Sequence, residues 1–332
     1  MSMEATSSDS RIPVTVVTGY LGAGKTTLVN HLLKESSGKR FAVIVNEFGD
    51  IGIDGSLIES GGEELIELSS GCICCVVRGD LIRTIRALLA RKSTLDGIII
   101  ETTGLANPSP VIQTMVIDQV ISSQCRLDSV LCLVDCAHIG DQIGHSPDAV
   151  QQIAFSDHIV LNKIDVTSSS LEQIERKIHS INPFARISRT TRSQIAVGDI
   201  VGCCSFELER VEDQLPPLVE NGHHHHDNHI HAGGISSLSF TSDTLLDADR
   251  LERWIEQLLA RQGNDILRIK GVLSVVGSDK KLVLQAVNMM LEGDYVDNTL
   301  KGKCISRLVF IGRNLDREAL AKGFESCCLE AA

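Results

Sequence analysis

Near the N-terminus, Gly19-Tyr-Leu-Gly22-Ala23-Gly24-Lys25-Thr26 matches the pattern G-x-x-x-x-G-K-[ST], and Thr27 follows it. Glycines at this spacing let backbone N–H groups wrap a chain of phosphates. A lysine at the seventh position reaches the β- and γ-oxygens, and the next hydroxyl can ligate magnesium. The expected phosphate cradle is therefore Gly19, Gly22, Ala23, Gly24, Lys25, Thr26 and Thr27. Further on, Glu101-Thr102-Thr103-Gly104 closes an apolar run. A carboxylate there can hold magnesium or its water, and the Gly104 N–H can sense a γ-phosphate. Lys25, Thr26 and Glu101 are the expected catalytic groups, with Thr26 and Glu101 on Mg2+. Third in order comes Asn162-Lys163-Ile164-Asp165. An aspartate in that place can accept both N–H groups of the guanine edge, a pair that adenine does not offer. Asn162, Lys163 and Asp165 thus point to GTP rather than ATP. A glycine turn with a solvated lysine, or a helix N-cap by Thr102 or Thr103, would explain one motif but not the ordered set.

A second chemistry lies between these motifs. Ser70-Gly71-Cys72-Ile73-Cys74-Cys75 gathers three thiols within four residues, after a strand-like run and ahead of a helical segment expected to begin near Gly79. Thiolates on one glycine-led loop can converge on a borderline cation, with Zn2+ the leading candidate and Co2+ or copper as alternatives. Three ligands leave a fourth position open, as a metal that must leave again requires. The plain alternative is three half-buried cysteines of no function. Glu47, at the end of the second strand-like run, is a candidate further ligand. His223, His224, His225, His226, His229 and His231 form a separate tract, internal to the chain and broken by Asp227 and Asn228. Six imidazoles so close together read as an accessory, exchangeable metal store, with a merely polar linker as the alternative. Cys125, Cys132, Cys136 and Cys304 are isolated and read as structural; the pairs Cys203-Cys204 and Cys327-Cys328 favour packing over metal.

Positioning these residues is the task of a repeating pattern across residues 12–190. Short β-branched runs at 14–18, 41–45, 65–68, 97–101, 130–135 and 158–162 alternate with helical periods at 25–34, 81–91 and 171–181. Runs that are apolar throughout, separated by helices, imply an α/β fold with a mostly parallel sheet covered on both faces. Ligands of such sheets sit beyond the carboxyl ends of the strands, where the motifs fall. From residue 235 a smaller α+β domain is expected, with strands at 235–240, 267–276, 281–287 and 306–311 and helices near 247–259 and 316–324. The expected division is a flexible N-terminus at 1–11, a P-loop GTPase domain with the thiol site at 12–202, a linker with the His tract at 203–234, and a C-terminal domain at 235–328.

Composition narrows the classes of function. Against 43 acidic residues the chain has 31 Lys and Arg, for a formal net charge of −12, which disfavours nucleic acid and anionic membrane as partners. Eleven cysteines without a secretory signal argue against a disulfide framework, and no apolar run reaches the length of a membrane span. The expected location is cytoplasmic.

Together GYLGAGKTT (19–27), NEFG (46–49), GCICC (71–75), ETTGLA (101–106), NKID (162–165), RIKG (268–271) and LVFIGRNL (308–315) resemble the CobW-type family of P-loop GTPases. That family includes cobalt- and zinc-handling metallochaperones. The resemblance implies that GTP with Mg2+ orders the loops carrying Glu47 and Cys72 to Cys75, and that hydrolysis releases the metal to a client metalloenzyme. Two alternatives accompany it: an activator inserting cobalt or iron into one dedicated enzyme, and a GTP-modulated metal buffer or sensor. Self-association into a homo-oligomer is compatible with the sequence. The chain departs from the family pattern at Gln285-Ala286-Val287-Asn288, where many members have Q-G-V-H, and residues 1–11 lack the acidic C-P-E-L-V-type docking motif of some eukaryotic members. Leu105 stands where a Ras-type GTPase has its water-orienting glutamine, so slow unassisted turnover is expected.

Overall fold

In the computed structural model of the chain, the described residues are 9–36, 38–46, 64–68, 74–91, 95–203, 205, 231–297 and 305–329. The first unit runs β1 (Ile12–Gly19), α1 (Lys25–Glu35), β2 (Phe41–Asn46), β3 (Glu64–Leu68), α2 (Cys74–Ala90), β4 (Gly97–Glu101), α3 (Ser109–Ile117) and α4 (Gln119–Gln124). It continues through β5 (Cys125–Asp135), α5 (Ile139–His145), α6 (Pro147–Phe155), β6 (His158–Asn162), α7 (Leu171–Ile181) and β7 (Arg186–Arg189). Its seven strands are all parallel, in the order β3-β2-β4-β1-β5-β6-β7. The apolar runs read from the sequence are buried here because helices cover both faces: every residue of β4 and of β6 is buried.

Local sequence explains where the helices lie. In α7, Ile174, Ile178 and Ile181 repeat at helical spacing on the buried side, and Ser170 caps the helix by accepting from the Gln173 N–H. Helix α2 corrects the sequence reading, for it starts at Cys74 and not near Gly79. A single glycine inside a helix costs only about 1 kcal/mol relative to alanine, so Gly79 does not break it. Cys74 and Cys75 therefore open a helix instead of lying on a loop.

The second unit comprises β8 (Ile235–Ser242), α8 (Ala248–Gln262), β9 (Ile266–Ser274), β10 (Lys281–Val287), β11 (Met290–Val296), β12 (Ser306–Arg313) and α9 (Arg317–Cys327). Its strands form an antiparallel sheet in the order β11-β10-β9-β12-β8. Strand β11 carries Glu292, Gly293 and Asp294 and is exposed at the sheet edge, which is why its hydrophobic pattern is weak. Helices α8 and α9 cover one face, with Trp254, Phe310 and Phe324 packed edge to face or tilted between them.

The other face of this sheet packs on the first unit. Val272, Val283, Val287, Val309 and Ile311 share one apolar cluster with residues of the first unit, among them Val150, Ile153 and Phe155 of α6. All nine residues of β9 are buried as a result, including the charged Arg268 and Lys270. The Arg268 guanidinium donates to the Phe155 carbonyl at 3.0 Å and pairs with Asp157. Lys270 Nζ lies 3.8 Å from Asp157 Oδ1, and Asp157 Oδ2 accepts from the Val130 N–H at 2.9 Å. At the tip of the β10–β11 hairpin Asn288 has φ +57° and donates to the Ser109 hydroxyl at the start of α3. The position where many family members have histidine is thus a contact between the two units. Among the described residues no helix is long and apolar enough to cross a membrane.

Candidate nucleotide and metal site

The phosphate loop leaves the carboxyl end of β1, flanked by β4 and β5, the place where an open parallel sheet binds ligands. Gly19 ends the strand, Gly22 turns at φ +74°, Ala23 is fully buried, and Gly24 is the N-cap of α1. No side chain caps α1, so its first-turn N–H groups point into the loop, the arrangement that holds a phosphate. Gly24 has φ +105°, and a Cβ there would stand 2.6 Å from Asn162 Nδ2 and 3.0 Å from Ser193 Oγ. Only glycine satisfies both the backbone angle and this approach.

Lys25, Thr26 and Thr27 occupy the first turn of α1. The Lys25 ammonium donates to the carbonyls of Gly19 at 3.0 Å and Tyr20 at 3.3 Å, which folds it over the loop. Thr27 is exposed at the mouth. The Thr26 hydroxyl donates to Glu101 Oε1 at 3.0 Å, and Glu101 is only 5% exposed. Pairing β1 with β4 in the register Val17↔Glu101 brings these two residues together. A hydroxyl and a carboxylate are hard oxygen donors, the chemistry Mg2+ takes, so the donor set fits that ion. The loop after Glu101 then docks on the phosphate loop. Thr102 N–H donates to Val17 at 2.9 Å, and a Cβ on Gly104 would stand 2.8 Å from the Leu21 nitrogen.

Asn162 joins three segments. Its Nδ2 donates to the Ala23 carbonyl at 2.8 Å and to Ser193 Oγ at 3.0 Å, while its Oδ1 accepts from the Ser193 N–H at 2.9 Å. Ser193 Oγ in turn donates to the Gly24 carbonyl at 3.2 Å. Lys163, at φ +60°, donates to Asp135 at 2.8 Å, and Asp165 is exposed beyond it. Burial pushes the Asp135 carboxyl up, but hydrogen bonds from Lys163, His138 and the Ala137 N–H outweigh this and hold it below the usual range. Sequence reasoning missed the turn at 190–194, where Arg192 and Ser193 also have positive φ. Its only signal was the polar run Thr190-Thr191-Arg192-Ser193-Gln194 itself, since the strand before it shows no strand pattern. A groove of about 440 Å³ separates Arg192 and Gln194 from Thr26, Thr27, Asn30, His31 and Lys34.

Of the thiol site, Cys72 and Glu47 lie outside the described residues, while Cys74 and Cys75 are placed at the start of α2 by their backbone. The register Asn46↔Leu68 and Val45↔Glu101 sets the carboxyl ends of β2, β3 and β4 level at one rim. The chain leaves β2 one residue before Glu47 and leaves β3 four residues before Cys72. His223, His224, His225, His226 and His229 lie outside the described residues. His231 is described: its ring Nε2 is 3.2 Å from Ser180 Oγ, and its N–H donates to the Ile235 carbonyl at 2.9 Å. Burial pushes the thiols of Cys125 and Cys136 up to about 11 and that of Cys132 to about 12, which keeps them protonated and inert. Among the described residues no group of three or more His, Cys, Asp or Glu is arranged to hold a metal.

Two family models match the chain: the CobW/HypB/UreG nucleotide-binding domain over residues 13–189 and the cobalamin synthesis protein CobW C-terminal domain over residues 235–328. The chain is 33% identical to the zinc chaperone YjiA of Escherichia coli, over 94% of its own length and 98% of that protein. It is 32% identical to the zinc-regulated GTPase metalloprotein activator 1 of Schizosaccharomyces pombe, over 92% of its length and 83% of that protein. The crystal structure of the Zn(II)-bound YjiA GTPase from E. coli superimposes with a TM-score of 0.79 at 29% identity, covering 97% of this chain and 100% of that one.

Proposed function

The chain belongs to the CobW family and is a GTPase, and from that premise we propose that it is a zinc metallochaperone whose metal affinity is set by the bound nucleotide. The observation that carries this reading is the common rim at which β2, β3 and β4 end. Glu101 sits on that rim beside Thr26, and the segments leading to Glu47 and to Cys72, Cys74 and Cys75 leave from it. A γ-phosphate read at Glu101 and Gly104 therefore acts on the rim from which the segments toward the thiols leave. Switch loops tied to a γ-phosphate change geometry when it leaves, and a thiolate site is sensitive to geometry. The relatives named zinc chaperones support zinc as the cargo.

In this reading the backbone of Gly19, Gly22, Ala23, Gly24 and Thr27 holds the phosphates, and Lys25 neutralises the β- and γ-oxygens. Asn162 braces the loop, and Lys163 and Asp165 recognise guanine. Thr26 and Glu101 hold Mg2+, which supplies charge neutralisation on the transferring phosphoryl group. Cys72, Cys74 and Cys75 bind the zinc with Glu47 as a further ligand, and the positive end of α2 favours the anionic thiolates of Cys74 and Cys75. The fourth position passes the metal to a client protein. The His tract is an accessory, exchangeable store of zinc.

Competition of the protein with a chromophoric chelator for zinc tests the proposal, with a non-hydrolysable GTP analogue and Mg2+, with GDP and Mg2+, and with no nucleotide. Zinc affinity should differ by about 5- to 150-fold between the GTP-analogue and GDP states. The difference should vanish in the C72S/C74S/C75S variant. Equal zinc affinity in all three states would overturn the switch. Repeating the titration with Co2+ separates zinc from cobalt cargo, and zinc transfer to an apo-enzyme on hydrolysis separates a chaperone from a buffer.

A further inference from the structure

Helix α6 sends one polar side chain into the loop that follows Glu101. Gln152 is 1% exposed, and its Nε2 donates to the carbonyls of Gly104 at 3.1 Å and Ala106 at 3.2 Å. These two carbonyls bracket Leu105, itself 51% exposed. The amide's orientation is settled by its neighbours, because turned over it would set an oxygen against both carbonyls. Its Oε1 is buried with no hydrogen-bond partner among the described residues. Desolvating half of an amide to hold one loop with the other half is costly, and a buried unpaired group of that kind calls for an explanation. The same loop is fixed at its start by Thr102 on Val17 and at its middle by Gly104 against Leu21 of the phosphate loop. Gln152 supplies the third hold, from helix α6.

We propose that Gln152 is a positioning residue for GTP hydrolysis. By holding both carbonyls around Leu105 it keeps Gly104 against Leu21, with the Gly104 N–H turned to the γ-phosphate. It touches no substrate and acts through Gly104. The proposal rests on the γ-phosphate role given to Gly104 above and is independent of the metal site.

The test uses the full chain with GTP and Mg2+ and no zinc. Gln152→Met fills the same space without a donor, and Gln152→Glu turns the donor into an acceptor facing two carbonyls. Both should lower kcat per folded molecule by about 10- to 100-fold, the effect of a small misplacement. Affinity for GDP, which has no γ-phosphate, should stay within about twofold, which marks an interaction made through the γ-phosphate. Preference for a non-hydrolysable GTP analogue over GDP should fall as well. A merely structural glutamine would lower the melting temperature and leave kcat per folded molecule unchanged, and that result overturns the proposal. Gly104→Ala separates the two readings. If it keeps its preference for the GTP analogue, the γ-phosphate role of Gly104 fails; if it loses it while Gln152→Met does not, only the role of Gln152 fails. Should neither Gln152 variant melt cooperatively, hydrogen exchange on the unmodified protein decides. Amides 104–106 better protected with the GTP analogue than with GDP support the proposal, and equal protection overturns it.

Discussion

The two sheets bury charge in different places. In the parallel sheet Glu101 and Asn162 end their strands, and Lys25 and Thr26 begin a helix, so each faces the rim beyond the strands. In the antiparallel sheet Arg268 and Lys270 stand in the middle of the central strand and meet Asp157 of the other unit. Apart from the half-buried Thr26, both sets are buried. The first is built from groups held by backbone carbonyls and a hydroxyl around a phosphate cradle. The second sets Arg268 and Lys270 against the Asp157 carboxylate, which also accepts a backbone N–H, and Arg268 against a backbone carbonyl. Burial of charge is thus no mark of a reactive site on its own; position relative to the strand ends separates the chemistry from the joint.

That contrast breaks if the two sets respond alike to mutation. The largest effect should come from Asp157→Ala, which leaves Arg268 and Lys270 buried without their carboxylate. Removing one partner of a buried ion pair costs about 3–5 kcal/mol, read by urea unfolding. GTP hydrolysis per folded molecule should be nearly unchanged, and its collapse would make the joint part of the catalytic machinery. Next comes Lys25→Ala, expected to lower GTP hydrolysis by about 10²- to 10³-fold, as loss of a transition-state donor does. Its melting temperature should fall far less than that of Asp157→Ala; a comparable fall would assign Lys25 to the fold.

A third test concerns pH. Burial and the adjacent Arg268 push the Lys270 ammonium down to about 7, against the pull of Asp157. Between about 7 and the ordinary value of 10.5 the unfolded chain keeps a proton that the folded chain has released. Stability therefore rises as pH climbs through that window, and this group adds no slope below it. Lys270→Met should abolish the rise in unfolding free energy. An identical rise in the variant would show that other groups set it.

Much of this was legible because it is local. The phosphate loop is a run of consecutive residues whose glycines dictate their own backbone, and β4 and β6 were readable as apolar runs closed by polar residues. Two of the four edge strands were not: Arg186–Arg189 and Met290–Val296 carry too many polar residues to show a strand pattern, and their pairing partners define them. The start of α2 at Cys74 was missed because Gly79 reads as a break when its cost is taken without the packing that offsets it.

The sequence by itself determined that this chain holds a nucleotide, that guanine is the base expected there, and that three thiols sit between the phosphate and acidic motifs. Each of those features is written in neighbouring residues. Tertiary structure alone decided that Glu101 meets Thr26, that Ser193 closes Asn162 onto Gly24, that Gln152 holds the Gly104 loop, and that Arg268 and Lys270 serve the joint between the units. Those contacts join residues distant along the chain, and the register of the strands and the docking of one sheet on the other bring them within reach.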